Sequence, residues 1–191
     1  MRITLFDYGA GNLHSLAKAL VVDDAEVRIT ADPRAALDTD VLVFPGVGGF
    51  GPAAERLAPR REEMASALDS GLAAVGVCLG MQLLFDASDE GPGTGLGYFP
   101  GRVTRLAARR VPHMGWNQVE GSLALDAAYF AHSYVCRAQD PGDVVGWTTY
   151  EGDRFPSAVR RGRVLGVQFH PEKSSRPGLE VLRRFVREVA P

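Results

Sequence analysis

The sequence is poor in cysteine: Cys78 and Cys136 are the only two among 191 residues. Two thiols build no disulfide framework, so a reducing, cytoplasmic compartment is the expected setting. A single Cys78–Cys136 bridge is the alternative. No apolar run approaches the length of a membrane span, so no membrane association is expected. Met1 to Asp7 reads as a short strand rather than the start of a secretion signal. A large excess of charge of one sign is also missing. A net charge of −2 gives no basic field for nucleic acid. Repeats, low-complexity tracts and an internal linker are absent. A chain of this length holds one well-buried core but not two ordinary domains, so a single domain over residues 1–191 is expected.

Glycine is what the chain has in quantity, 22 residues, many of them beside apolar runs. Ile3-Thr4-Leu5-Phe6 is a candidate first strand, followed by a turn over Asp7 to Gly11. Asn12 is placed to cap a helix through Leu13, Leu16, Ala17 and Leu20. Val27 to Ile29 reads as a second strand. Val41-Leu42-Val43-Phe44 is continuously apolar, as a strand buried on both faces should be. A helix is expected within Arg60 to Asp69, and a further buried strand over Ala73 to Val77. The alternation predicts an α/β fold: an open, mostly parallel central sheet with helices on both faces and active groups at the carboxyl ends of its strands. Beyond about residue 97 shorter strands follow, at Val103, Tyr129 to Val135, Val144 to Thr148, Ala158-Val159 and Val164 to Phe169. Arg161-Gly162-Arg163 is a hairpin turn candidate. The sheet should therefore be mixed, and Arg176 to Val189 should close the fold as a helix.

Gly76-Val77-Cys78-Leu79-Gly80 carries the chemistry. It is the G-x-nucleophile-x-G pattern of a strand-to-helix elbow, with sulfur as the nucleophile and glycines where the tight turn excludes Cβ atoms. The helix that follows would present its positive dipole end to the sulfur, favouring thiolate. A cysteine nucleophile needs a base, and only His14, His113, His132 and His170 are available. His170 ends an apolar strand and precedes Pro171-Glu172. In an extended segment residues two apart share a side, which brings Glu172 to the imidazole. His170 would take the thiol proton and return it to a leaving amine, while Glu172 orients the ring. A lone His-x-Glu is more often a solvated strand end; the elbow cysteine reverses that reading. The Leu79 amide is the natural first donor to an oxyanion, and Pro45-Gly46-Val47-Gly48 is the candidate for the second, against the plain reading as a Gly-rich turn.

Other motifs point away from chemistry. Gly9-Ala10-Gly11 lacks the third glycine of a dinucleotide fingerprint. Gly91 to Gly95 lacks the following Lys-Ser/Thr of a phosphate loop and reads as a mobile surface loop. His113, His132 and Cys136 fit no zinc spacing, and packing is the better account of His132. No metal and no cofactor is expected.

These residues together resemble the class I (triad-type) glutamine amidotransferases and, more narrowly, the glutaminase subunits of imidazole glycerol phosphate synthase. The resemblance runs nearly end to end: Asp7 to Asn12, Pro45 to Gly48, Gly76 to Phe85, Pro112-His113-Met114-Gly115-Trp116-Asn117, His132-Ser133-Tyr134, Phe155 to Ala158 and Gln168 to Ser175. It implies a class I amidotransferase-like (flavodoxin-like) fold, and glutamine hydrolysis through a thioester on Cys78 with His170 and Glu172 as partners. It implies an oxyanion site built from Gly46, Val47, Gly48 and Leu79, whose strand reorients when the partner is loaded. Gln82, Glu90, Gly48 and the backbone of Ser133 and Tyr134 match glutamine-binding positions. Trp116, Asn117, Tyr129 and Lys173 match the interface with a (βα)8-barrel cyclase subunit. That cyclase, paired with the glutaminase as a heterodimer, would use the ammonia to make imidazole glycerol phosphate and aminoimidazole carboxamide ribonucleotide in histidine biosynthesis. Three alternatives stand beside this. The glutaminase subunit for pyridoxal phosphate synthesis should carry Gly-Gly-Glu-Ser in place of Pro-Gly-Val-Gly. A non-catalytic module of the same fold should have lost a member of the triad. A peptide-directed cysteine hydrolase does not account for Gln82 or the Pro112 to Asn117 motif.

Overall fold

A computed structural model describes residues 1–9, 11, 13–22 and 25–190. The expected cap at Asn12 lies outside the described residues. Among the described residues the main sheet has eight strands, in the order β2-β1-β3-β4-β13-β12-β11-β8. Five of them run parallel: β2 (Glu26–Thr30), β1 (Arg2–Phe6), β3 (Val41–Phe44), β4 (Ala73–Val77) and β13 (Val164–Val167). The antiparallel extension is β12 (Asp153–Arg161), β11 (Val144–Tyr150) and β8 (Glu120–Gly121). The mixed, largely parallel sheet inferred from the alternation is therefore present. Gly162, with φ +53°, turns the chain between β12 and β13 at the expected hairpin.

Alternate side chains of the central strands enter two separate cores. Val41 and Val43 pack with Ile3, Leu5, Val75 and Val77 against α1 (Leu13–Ala19) and α6 (Ser175–Glu188). Leu42 and Phe44 pack with Phe6 and Ala74 against α3 (Phe50–Leu57), α4 (Arg61–Asp69) and α5 (Leu79–Leu83). Burial on both faces is why Val41 to Phe44 is apolar without interruption. Each fully buried Leu or Phe contributes roughly 2 kcal/mol.

Two helices were not legible. In α2 (Pro33–Ala36) Asp32 accepts from the Arg34 amide and Pro33 opens the first turn. In α3 the Gly49-Phe50-Gly51-Pro52 start reads as turn chemistry, yet Pro52 falls in the first helical turn, where its missing N–H costs nothing. The single strand expected over Tyr129 to Val135 is two. β9 (Ala127–His132) pairs with β7 (His113–Gln118), while β10 (Tyr134–Ala138) pairs with β6 (Gly101–Arg105). Ser133 is the residue at which the chain passes from one small sheet to the other. Gly91 to Gly95 is not wholly a surface loop. Gly95 is buried, its amide donates to the Asp86 carbonyl, and a Cβ there would stand 2.0 Å from the Phe85 carbonyl oxygen.

Candidate active site

Three neighbouring parallel strands deliver the site. β3 leads into Pro45-Gly46-Val47-Gly48, β4 into Cys78, and β13 through Gln168-Phe169 into His170. Their register aligns Phe44 with Gly76 and Val77 with Val167, so all three segments leave the sheet at the same edge. The Cys78 amide donates to the Val167 carbonyl at 2.7 Å, which ties the elbow to the strand carrying the histidine.

Cys78 has φ +50° and ψ −105°, a conformation that strains a residue with a side chain. The surrounding packing enforces it. A Cβ on Gly76 would lie 2.6 Å from the Gly80 carbonyl carbon, and one on Gly80 would lie 1.9 Å from the Phe44 oxygen. The elbow expected from the sequence is thus closed by direct contact of three backbone segments. α5 is only five residues long, so it offers the sulfur less dipole than the sequence reading assumed.

The positive charge beside the sulfur comes from His170 instead. His170 and Glu172 meet at 2.9 Å between Nδ1 and Oε1, and both side chains are almost fully buried. The pairing is as expected, but its geometry is not: β13 ends at Val167, and His170 caps a short 3-10 turn over Pro171–Lys173 that folds Glu172 back onto the ring. Burial disfavours the imidazolium. Hydrogen bonding to Cys78 and Glu172 and their negative charge outweigh it, raising His170 from 6.5 to about 10. The second Glu172 oxygen, Oε2, is buried and has no hydrogen-bond partner among the described residues.

A cavity of about 250 Å³ opens onto the thiol. Gly46, Val47, Gly48, Leu79, Gln82, Glu90, Ser133 and Tyr134 all line it with Cys78, joined by Pro112, Met114, Ala131 and His132. Every oxyanion and glutamine-binding candidate is therefore brought to one space. The oxyanion arrangement itself is closed: the Leu79 amide points to the Gly46 carbonyl oxygen at 3.5 Å, an acceptor where a hole needs a second donor. The turn is pinned on both flanks. The Tyr8 hydroxyl donates to the Pro45 carbonyl, and the Phe50 amide donates to Glu90 Oε2 at 2.9 Å. Glu90 thus supplies the cap that Gly49 cannot give α3.

Gln168 and Tyr8 were missed as site residues. Gln168 is fully buried, its Nε2 donates to Cys78 Sγ at 3.5 Å, and its Oε1 accepts from Gln82 Nε2 at 3.3 Å. A glutamine in an otherwise apolar strand end was the available signal. Cys136 is buried and both cysteines are free thiols, so the alternative bridge is not formed. Of the other histidines, His14 is exposed, while His113 and His132 face each other in the interior.

Three of the four expected interface residues, Trp116, Tyr129 and Lys173, lie together. Trp116 is 55% exposed and meets Tyr129 edge-on at 6.4 Å, and Lys173 Nζ lies 5.8 Å from the Tyr129 ring. Met114, 64% exposed, bridges this face and the cavity. Asn117 turns inward, donating to the Thr149 carbonyl at 3.0 Å. Among the described residues no helix is long and apolar enough to cross a membrane.

Residues 4–189 match the family model for class I glutamine amidotransferases. The chain is 44% identical to the imidazole glycerol phosphate synthase subunit HisH of Halobacterium salinarum, over 96% of this chain and 92% of that one. It is also 44% identical to the chloroplastic imidazole glycerol phosphate synthase hisHF of Arabidopsis thaliana, covering 99% of this chain but 34% of that longer one. Among solved structures, a glutamine amidotransferase superposes with a TM-score of 0.76 over 98% of each chain, at 21% identity, which is likeness of fold.

Proposed function

Because the chain belongs to the class I glutamine amidotransferases, and within them to the HisH subunits of imidazole glycerol phosphate synthase, we propose that Cys78, His170 and Glu172 hydrolyse glutamine for a partner cyclase. The observation that carries the proposal is the strained elbow cysteine brought to the same sheet edge as a buried His170–Glu172 pair, whose hold on a proton is raised by Cys78 and Glu172. Cys78 attacks the carboxamide carbon of glutamine as thiolate. His170, which already bears a proton in the resting pair, gives it to the departing amine, releasing ammonia and leaving a thioester. Water then attacks the thioester, His170 takes its proton, and glutamate leaves. Glu172 supports the imidazolium throughout, as the third member of such a triad does.

The tetrahedral oxyanion needs Leu79 N–H and a second amide, for which Val47 is the candidate. In the resting arrangement the Gly46 carbonyl faces Leu79, so the turn must reorient before that site exists. Pinned flanks and a glycine-flanked middle allow two orientations at small steric cost. An off state has a chemical rationale: ammonia released without a waiting acceptor is protonated in water and lost as a nucleophile. The face carrying Trp116, Tyr129 and Lys173 is where we place the (βα)8-barrel cyclase, in a one-to-one heterodimer that makes imidazole glycerol phosphate and aminoimidazole carboxamide ribonucleotide for histidine biosynthesis. The fused Arabidopsis relative, about two-thirds of which lies beyond this chain's match, supports a function exercised as part of a larger assembly.

Glutamate release should be measured for the chain alone and with its cyclase, with and without the cyclase ligand. The isolated chain should be very slow and the loaded complex strongly activated. Cys78→Ala should lose about 10⁴-fold or more. Wild-type activity in that variant, or equal turnover alone and in complex, would sink the proposal.

A further inference from the structure

His113 and His132 are buried, face one another and have no part in the hydrolytic steps above. Their hydrogen bonds fix where every proton sits. His132 Nδ1 lies 3.0 Å from the Tyr134 carbonyl, which only accepts, so Nδ1 carries the proton. In a neutral ring His132 Nε2 is then an acceptor. His113 Nδ1, 3.0 Å away, must donate to it. His113 Nε2 is left to accept from Asn117 Nδ2 at 3.3 Å. The two rings form a one-way relay of N–H donors ending on Tyr134.

The Tyr134 carbonyl accepts a second bond, from Gln82 Nε2 at 3.1 Å. Gln82 Nε2 also donates to Gln168 Oε1. Both amide hydrogens of Gln82 are thereby engaged and its flip is determined. Its Oε1 remains as the acceptor available to an N–H group in the cavity.

We infer that His113 and His132 are positioning residues, a neutral pair with both protons on Nδ1, which hold the Tyr134 carbonyl and through it the Gln82 carboxamide for a glutamine ligand. The inference rests on the glutaminase reading and deepens it. The surroundings keep both rings uncharged. Burial lowers His113 to about 4. Burial, with the charges of His113 and His170, lowers His132 to about 3 despite the bond to Tyr134. The rings packed on them are aromatic: His113 stacks on Tyr150 at 4.0 Å and Phe130 at 4.9 Å, and His132 meets Phe155 edge-on at 5.2 Å. The His113 donor reinforces the tautomer that Tyr134 sets, holding His132 Nε2 unprotonated.

Long-range proton–nitrogen NMR of the histidine-labelled full chain at neutral pH reads the tautomers directly. Both rings should be neutral with Nε2 unprotonated, their signals assigned by loss in His113→Phe and His132→Phe. Protonation of either Nε2 would overturn the inference. In the complex with the cyclase, His132→Phe should raise KM for glutamine about fivefold, the size of one lost hydrogen bond, with kcat within about twofold. His132→Asn, whose amide replaces the Nδ1 donor, should restore most of it; an effect on kcat alone, or no rescue, would mark a merely structural role. Wild-type hydrolysis with unchanged KM in His132→Phe overturns the inference alone. A wild-type complex that hydrolyses no glutamine overturns it together with the function it serves.

Discussion

The elbow that carries Cys78 and the turn that faces it are both rich in glycine, and their glycines answer to different demands. At the elbow, Gly76 and Gly80 are glycine because a Cβ would enter neighbouring backbone, at 2.6 Å and 1.9 Å. In the turn, Gly48 has φ +131°, while its nearest contact to an added Cβ is an ordinary 3.4 Å from the end of the Leu79 side chain. Gly46, the turn's other glycine, shares the elbow's demand, since its added Cβ would lie 2.9 Å from the Val77 carbonyl oxygen; Gly48 is glycine for conformation. The first arrangement holds a reactive atom in a single place; the second leaves a peptide free to turn between pinned ends. Under the proposed hydrolysis, a nucleophile held in position and an oxyanion site that must still form would put control of the reaction in the turn.

Gly80→Ala tests the elbow and should have the largest effect on stability. The added methyl cannot be absorbed by a flexible side chain, because its nearest neighbour is the Phe44 carbonyl oxygen. A loss of about 3 kcal/mol or more is expected, read by urea denaturation followed by circular dichroism. A loss under about 1 kcal/mol would mean that the elbow yields as easily as the turn, and the contrast would fail.

The elbow also has an electrostatic side. His170 is raised above its ordinary value in the folded chain, from 6.5 to about 10, by interactions absent from the unfolded chain. Its protonation therefore adds stability that is fully present below about pH 6.5 and disappears as pH rises through about 10. The stability of wild type relative to His170→Asn should shrink across that window. A difference constant from pH 6 to pH 10 would show that no imidazolium is held there.

How much of this was legible divides along the same line. Val41 to Phe44 and Ala73 to Val77 are uninterrupted apolar runs because both of their faces are covered, and that pattern survives in sequence. The elbow was legible because close approach leaves glycine no substitute. The state of the turn was not, since the same four residues serve either orientation and only coordinates place the Gly46 carbonyl on Leu79. The His170–Glu172 pair was legible as spacing but not as geometry, because Pro171 was read in an extended strand and lies in a 3-10 turn. The links through Gln168, His113 and His132 join residues from separate strands, so no local pattern could announce them.

The smallest effects lie in the turn, where two adjacent glycines make an internal control. Gly49 has φ −104° and ψ 150°, open to any residue, and an added Cβ would meet only Pro52 Cδ at 3.7 Å. Gly49→Ala loses a little as a helix cap and gains a little from a less flexible unfolded chain, so it should stay within about 0.5 kcal/mol of wild type. Gly48→Ala must hold an alanine at positive φ or move the turn, at about 1–2 kcal/mol. Its distinguishing effect is on control: stimulation of glutaminase activity by the loaded cyclase should fall about tenfold or more, since one lost oxyanion donor is worth at least that. Alkylation of Cys78 by iodoacetamide, which needs no oxyanion site, should stay near the wild-type rate. Equal stimulation in both variants would place control elsewhere than in the turn; slowed alkylation in Gly48→Ala would show that turn and elbow are one rigid unit.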